Sequence, residues 1–305
     1  MPIQKTMLQL FRGFFVLLLA TSFASQAAKP VPAPPTLKAR SYFLIDAASG
    51  TVLAEENADD PVEPASITKV MTTYVAFHEL AADSMQLEDK VSISEAAQRV
   101  EGSRQFIKAG TKVDVETLLK GIIIQSGNDA SIAIAEHIAG TEETFAQLMN
   151  QHAQKLGMTG THFANSTGLP DANHYVTARD LAKLTIALIE EFPQYYEWYS
   201  QKEFQFGDIR QFNRNKLLWR DSRVDGVKTG HTSSAGYCLV SSGKKDDMRL
   251  ISVVLGTDSD KERLGASQAL LNYGFRFFET HRVHNAVEPI DTAKVWKAAV
   301  DQVSV

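Results

Sequence analysis

Gly236-Tyr-Cys-Leu-Val-Ser241 and Met248-Arg-Leu-Ile-Ser-Val-Val-Leu255 lie on either side of Gly243-Lys-Lys-Asp-Asp247. Two apolar, β-branched runs around a polar tip read as an antiparallel hairpin. Just downstream, Arg263 to Phe278 returns to a helical pattern. Far upstream, Ser41-Tyr-Phe-Leu-Ile-Asp46 and Thr51-Val-Leu-Ala-Glu55 flank Ala47-Ala-Ser-Gly50, a second strand, turn and strand signal. The middle of the chain is helical. After Pro61 and Pro64, the residues Ile67, Val70, Met71, Tyr74 and Val75 fall on one broad helical face. Thr117 to Ile124 and Ala130 to Ile138 are apolar and long enough for buried helices, interrupted at Ser126-Gly-Asn-Asp129. Ala178 to Glu190 reads as a further helix, with Thr177 as its N-cap. Strands at both ends around a helical middle are not the βαβ alternation of a parallel sheet. The expected class is α+β, an antiparallel sheet with helices packed on it.

The chain has 305 residues and a mass of 33.6 kDa, enough for a sizeable core. Hydrophobic residues make up 44% and charged residues 22%, which argues against disorder or a multi-span membrane protein. A net charge of −5 gives no basic surplus for nucleic acid, so no nucleic-acid partner is expected. Cys238 is the single cysteine, which excludes an internal disulfide and a zinc site built on several thiolates. The eight histidines form no H-E-x-x-H pair, and neither a metal nor a cofactor is expected. At the start, Lys5 and Arg12 precede the apolar run Gly13 to Ala20, and Ser25-Gln-Ala27 supplies small residues for cleavage. Residues 1–27 therefore read as a secretory signal, short for a membrane span, with an uncleaved N-terminal anchor as the alternative. Residues 28–40 form a proline-rich lead, with Lys29-Pro-Val-Pro-Ala-Pro-Pro35 favouring extended chain.

Ser66-Ile-Thr-Lys69 stands at the expected start of a helix, where residues three apart share a face and an amine can reach a hydroxyl. The positive end of the helix disfavours a nearby cation, which helps a lysine stay neutral and act as a base. Alone the motif is weak: Ser241-Ser-Gly-Lys244 and Ser242-Gly-Lys-Lys245 match it too, at a strand end and its polar turn. Ser126-Gly-Asn128 and Lys228-Thr-Gly230 change its weight, since each falls at a break between expected elements. Read singly, the first is a helix-breaking turn and the second a strand-edge turn. The ordered set S-x-x-K, S-x-N, K-T-G is far rarer than its parts.

This set resembles the penicillin-recognising serine enzymes, and most closely the low-molecular-mass penicillin-binding proteins that are serine-type D-alanyl-D-alanine carboxypeptidases of the peptidase S11 type. Pro64 to Thr72, Ser126-Gly-Asn-Asp-Ala130, Asn213-Arg-Asn215, Val224 to Thr232 and Tyr273 to Glu279 carry the likeness, which spans roughly residues 37 to 281. The resemblance implies a β-lactamase/transpeptidase-like fold: an antiparallel sheet flanked by helices, plus a mostly helical subdomain. Residues 41–281 would form the D,D-peptidase domain. It further implies that Ser66 attacks a terminal D-Ala-D-Ala bond, that Lys69 takes the serine proton, and that Ser126 bridges Lys69 and Lys228. Asn128 would hold the peptide side of the substrate. Lys228 and Thr229, supported by Arg214, would receive the terminal carboxylate. Gly230 would let its strand approach the substrate, and the amides of Ser66 and His231 would form an oxyanion hole. Ser103, in Glu101-Gly-Ser103, would order a water beside the site.

By the same resemblance, the expected partners are the peptidoglycan stem pentapeptide as substrate and β-lactams as covalent inhibitors. The expected location is the exported, periplasmic side of the inner membrane. Two alternatives share the fold: a D,D-endopeptidase of cross-links, and a class A-like β-lactamase. The latter usually has S-D-N in the second motif and a glutamate-bearing loop, whereas Gly127 stands here and Ser166-Thr-Gly-Leu-Pro170 offers no glutamate. Residues 282–305 read as the start of a truncated β-rich C-terminal domain or as a tail. No C-terminal amphipathic membrane anchor is visible in them.

Overall fold

A computed structural model describes residues 30–281, together with the strands Thr292–Lys294 and Gln302–Ser304. The expected signal at 1–27 lies outside the described residues, as does most of 282–305; the two described strands of that stretch pair antiparallel. Residues 30–40 form neither helix nor strand.

The sheet that the hairpin announces has five strands, all antiparallel. Chain order gives β1 (Ser41–Asp46), β2 (Val52–Glu56), β3 (Lys90–Ser92), β4 (Lys112–Asp114), β5 (Glu203–Phe206), β6 (Ile209–Phe212), β7 (Val224–Thr232), β8 (Gly236–Lys245) and β9 (Met248–Thr257). The large sheet runs β2-β1-β9-β8-β7, so β7, which carries Lys228-Thr-Gly230, is an edge strand. β3 with β4, and β5 with β6, form separate two-stranded ladders.

Why the strands are apolar on both sides follows from what covers them. Side chains alternate across a strand. Leu44, Leu239, Leu250 and Val254 pack with Leu264, Leu270 and Leu271 of the helix Asp260–Phe277. Phe43, Val240, Ile251 and Val253 join the larger cluster on the other face, with Val70, Met71, Leu181 and Leu184. Those last four belong to the helices Lys69–Ala81 and Ala178–Glu191. A half-exposed sheet would alternate apolar and polar residues; this one is sandwiched and reads as nearly continuous apolar runs.

The helical region beside the sheet holds Val115–Lys120, Asn128–Ala139 and Glu142–Lys155. The interruption expected at 126–129 is narrower than the sequence suggests. Val115–Lys120 runs into a π-helical turn, Gly121–Gln125, which ends at Ser126 in the left-handed region with φ 67°. The next helix already begins at Asn128. Thr177 caps its helix as expected, its hydroxyl accepting the Asp180 amide. Asp180 is structural: it is buried, binds the Gly160 amide and the Thr161 hydroxyl, and pairs with Lys183 at 2.8 Å. Among the described residues, no helix is long and apolar enough to cross a membrane.

Candidate active site

Ser66 lies on a tight 3₁₀ turn, Ala65–Thr68, and Lys69 opens the helix Lys69–Ala81 that the turn feeds. At three residues per turn, positions i and i+3 eclipse, so the turn aligns the two side chains more directly than an α-helix would. Lys69 Nζ lies 3.1 Å from Ser66 Oγ. It also donates to Asn128 Oδ1 at 2.7 Å and to the Thr167 carbonyl at 2.5 Å. Lys69 is 1% exposed, and this burial pushes its amine down to about 7, with Asp129 and Glu142 pulling part of the way back. An amine with that value is half neutral at neutral pH, which a base beside a hydroxyl requires.

Ser126, Lys228 and Thr229 converge on the same place from two other elements. Lys228 Nζ donates to Ser126 Oγ at 2.9 Å and to the Thr229 carbonyl at 3.1 Å. The expected bridge is therefore half formed: Ser126 is bonded to Lys228, while the three bonds of Lys69 go to Ser66, Asn128 and Thr167. Burial holds Lys228 well below the ordinary lysine value, and the nearby charges of Lys69, Arg214 and Arg263 press it in the same direction. A carboxylate arriving here would oppose all of these influences and restore the charge.

Asn128 is buried, and its carboxamide is committed inside the protein. Its Oδ1 accepts from Lys69, and its Nδ2 donates to the Glu101 carbonyl at 2.6 Å. Its amide donates to the Ser103 carbonyl at 2.7 Å, so Asn128 ties the 101–103 loop to the lysine. The Ser103 hydroxyl makes no hydrogen bond among the described residues. Arg214 is exposed and has no ion-pair partner among them, held between the buried Asn213 and Asn215. Those asparagines bond the carbonyls of Tyr199, Gln201 and Gly226, which explains the Asn-Arg-Asn pattern. Arg214 and His231 line a cleft of about 670 Å³ together with Phe106, Tyr237 and Arg263. His231 is exposed and lies against Tyr237, with ring centroids 4.1 Å apart.

For Gly230 the structure changes the expected neighbour. A Cβ there would stand 2.7 Å from the Pro64 carbonyl and 3.2 Å from Ala65 Cβ. The glycine lets β7 close on the turn that carries Ser66, and its carbonyl is held from outside by Arg263 Nη1 at 2.9 Å. The two decoy motifs at 241–245 sit on β8, where consecutive side chains face opposite ways.

Sequence reasoning missed the support beneath the nucleophile turn. Thr68 Oγ1 donates to the Ala65 carbonyl at 2.8 Å and meets His174 Nε2 at 2.9 Å. The Ala164 amide donates to His174 Nδ1 at 3.3 Å, which assigns the ring proton to Nε2. Thr72 bonds the Ser166 carbonyl, and Glu142 Oε1 accepts from both the amide and the hydroxyl of Ser166. Gly168, at φ 82°, is forced by the same contact: a Cβ would lie 1.8 Å from the Ala65 carbonyl oxygen. Gly168→Ala should therefore cost about 2–4 kcal/mol of stability through combined strain and overlap. Urea denaturation checks this, and an unchanged midpoint would remove the contact's importance.

His174 also makes stability depend on pH. It is 2% exposed, and burial, which penalises the charged imidazolium, pushes it down to about 4. The unfolded chain takes up the proton near pH 6.5, the folded one only near 4. Stability is thus fully present above about pH 6.5 and falls by about 3 kcal/mol as pH drops to 4. His152, pushed to about 4 mainly by burial, acts in the same window. Unfolding curves at pH 7, 5.5 and 4 measure the slope, and His174→Gln should flatten it. An equal slope in that variant would count against His174 as its source.

Comparison with known proteins follows the same lines. Residues 27–259 match the peptidase S11 family, D-alanyl-D-alanine carboxypeptidase. The chain is 46% identical over 291 residues to the D-alanyl-D-alanine carboxypeptidase DacC of Escherichia coli K12, covering 93% of this chain and 72% of that one. It superposes on penicillin binding protein 5 from Haemophilus influenzae with a TM-score of 0.85 and 41% identity, covering 90% of this chain and 81% of that one. It also matches penicillin-binding protein D2 from Listeria monocytogenes in its ampicillin-bound form, with a TM-score of 0.73 and 27% identity. That match covers 79% of this chain and 100% of the other.

Proposed function

The chain belongs to the D-alanyl-D-alanine carboxypeptidase family of peptidase S11, and on that premise we propose how its residues carry out the reaction. It is a serine-type carboxypeptidase that removes the terminal D-alanine of peptidoglycan stem pentapeptides. The same serine is acylated by penicillin. The observation that carries this reading is Lys69: buried, near 7, and 3.1 Å from Ser66 Oγ.

Ser66 Oγ attacks the carbonyl carbon of the penultimate D-alanine while its proton passes to Lys69 Nζ. The negative charge that develops on the carbonyl oxygen is held by the amides of Ser66 and His231. Collapse breaks the C–N bond as Ser126 gives its proton to the leaving amine and takes in turn the proton that Lys69 received from Ser66, while Lys228, 2.9 Å away, holds the Ser126 oxygen. Lys228, Thr229 and Arg214 hold the terminal carboxylate, and its charge keeps Lys228 protonated. Water then attacks the ester, giving its proton to the neutral Lys69, which passes it to Ser66 Oγ as the ester bond breaks; Ser103 stands beside that path. Asn128, bonded to Lys69 and Glu101, keeps the loop and the base in one arrangement and faces the peptide side of the substrate.

This reading puts the enzyme on the periplasmic side of the inner membrane, where the stem peptides are. Residues 1–27 then serve as the export signal and 41–281 as the catalytic domain. The ampicillin-bound relative supports penicillin as a covalent ligand. The test is D-alanine release from a pentapeptide ending in D-Ala-D-Ala. Release by the purified protein supports the assignment, and no release from folded protein overturns it.

A further inference from the structure

Phe106 combines three features that ordinary packing does not require. Its backbone sits in the left-handed region, at φ 73°, which bulky residues avoid. Phe106 is 48% exposed, so burial in the core does not account for that conformation. Yet the segment around it is clamped by a fully buried carboxylate. Asp129 Oδ1 accepts the Gln105 amide at 2.8 Å, and Oδ2 accepts the amides of Phe106 at 2.8 Å and Ile107 at 3.2 Å. From the other side, Gln211 of β6 donates to the Gln105 carbonyl at 3.0 Å. Strain that the surroundings hold in place concentrates at functional sites. Here the clamp presents an aromatic ring to the cleft that Arg214 and His231 also line.

We propose that Phe106 is a specificity-determining residue whose ring packs on the side chain of the residue that leaves. The inference rests on the carboxypeptidase reading above, which puts the terminal carboxylate at Lys228, Thr229 and Arg214. The side chain on the same terminal residue then lies in the cleft with Phe106. Asp129 is the positioning residue, acting through the three amides. Ile209 and Phe212 are also exposed in this cleft, but they stand on the two-stranded β5–β6 ladder. Phe106 alone of the three has a left-handed backbone fixed by a buried charge. A methyl group seated against such a ring is worth a modest but measurable preference over hydrogen.

The experiment compares two peptides that differ only in the last residue, D-Ala-D-Ala against D-Ala-Gly, with the wild type, Phe106→Ala and Phe106→Leu. The wild type should favour the D-alanine peptide in kcat/KM. Phe106→Ala should narrow that preference by about three- to ten-fold, and Phe106→Leu should restore most of it. The ratio separates the roles, since a merely structural ring would lower both substrates in parallel. Parallel loss, an unchanged ratio, or a wild type without preference would each overturn the inference while leaving D-alanine release intact. Absence of release by the wild type would instead sink the carboxypeptidase reading and this inference with it. Phe106 is half exposed, so the variants should fold, and a thermal unfolding scan verifies it.

Discussion

Ser66→Ala protein should form no covalent adduct with penicillin and should release no D-alanine, with its unfolding midpoint almost unchanged. Ser66 Oγ is the hydroxyl 3.1 Å from the buried Lys69 amine, and the proposed acyl-enzyme forms on it. The rate should fall by at least about 10⁴-fold, leaving only what binding and oxyanion stabilisation supply without a nucleophile. Stability should hold because Lys69 keeps its bonds to Asn128 and Thr167 when the serine oxygen is removed. Intact-protein mass spectrometry after incubation with penicillin reads the adduct directly. An adduct of the expected mass on the variant would move the nucleophile elsewhere.

Lys69→Arg should be nearly as damaging, by about 10²–10⁴-fold in acylation, although it keeps a positive charge in place. An arginine does not give up its proton in a protein, so it cannot receive one from serine. The wild-type pH profile makes the same point without a substitution. Lys69 is pushed down to about 7, so the neutral, base-competent form dominates above that pH. Below it, kcat/KM should fall tenfold per pH unit as the amine protonates. Glu142 draws the amine upward, so Glu142→Gln should move this acidic limb to lower pH. A limb that stays in place in that variant and persists unmoved in Lys69→Arg would assign the titration to another group.

The two predictions depend on features with different visibility in the sequence. The hairpin around Gly243 to Asp247, the first strand pair and the capped helix at Thr177 were legible because their signals are local. Strand alternation, turn composition and N-cap chemistry each operate over a few residues. The three motifs were legible for a related reason, since their order survives even though sixty or more residues separate them. The boundaries were less clear. Ser126 lies one residue past a π-helical turn, a distortion that no propensity predicts, and the helix at Asn128 restarts sooner than the polar run suggests.

What the chain's composition and order determined by themselves is the class of the fold and the candidate set Ser66, Lys69, Ser126, Asn128, Lys228 and Thr229. Tertiary structure decided how those residues are tuned. Lys69 approaches neutrality because the protein removes it from water, while the Thr167 carbonyl and the Asn128 carboxamide fix where its amine sits. Gly230 is small because the Pro64 carbonyl occupies the space beside it, and Ala65 is held in place through Thr68 and His174. Asp129 follows directly on Ser126-Gly-Asn128, but its grip on the Phe106 backbone is visible only in three dimensions. Desolvation and backbone carbonyls leave no mark on residue identity. They come from segments about a hundred positions apart, and only folding brings them to the same side chain.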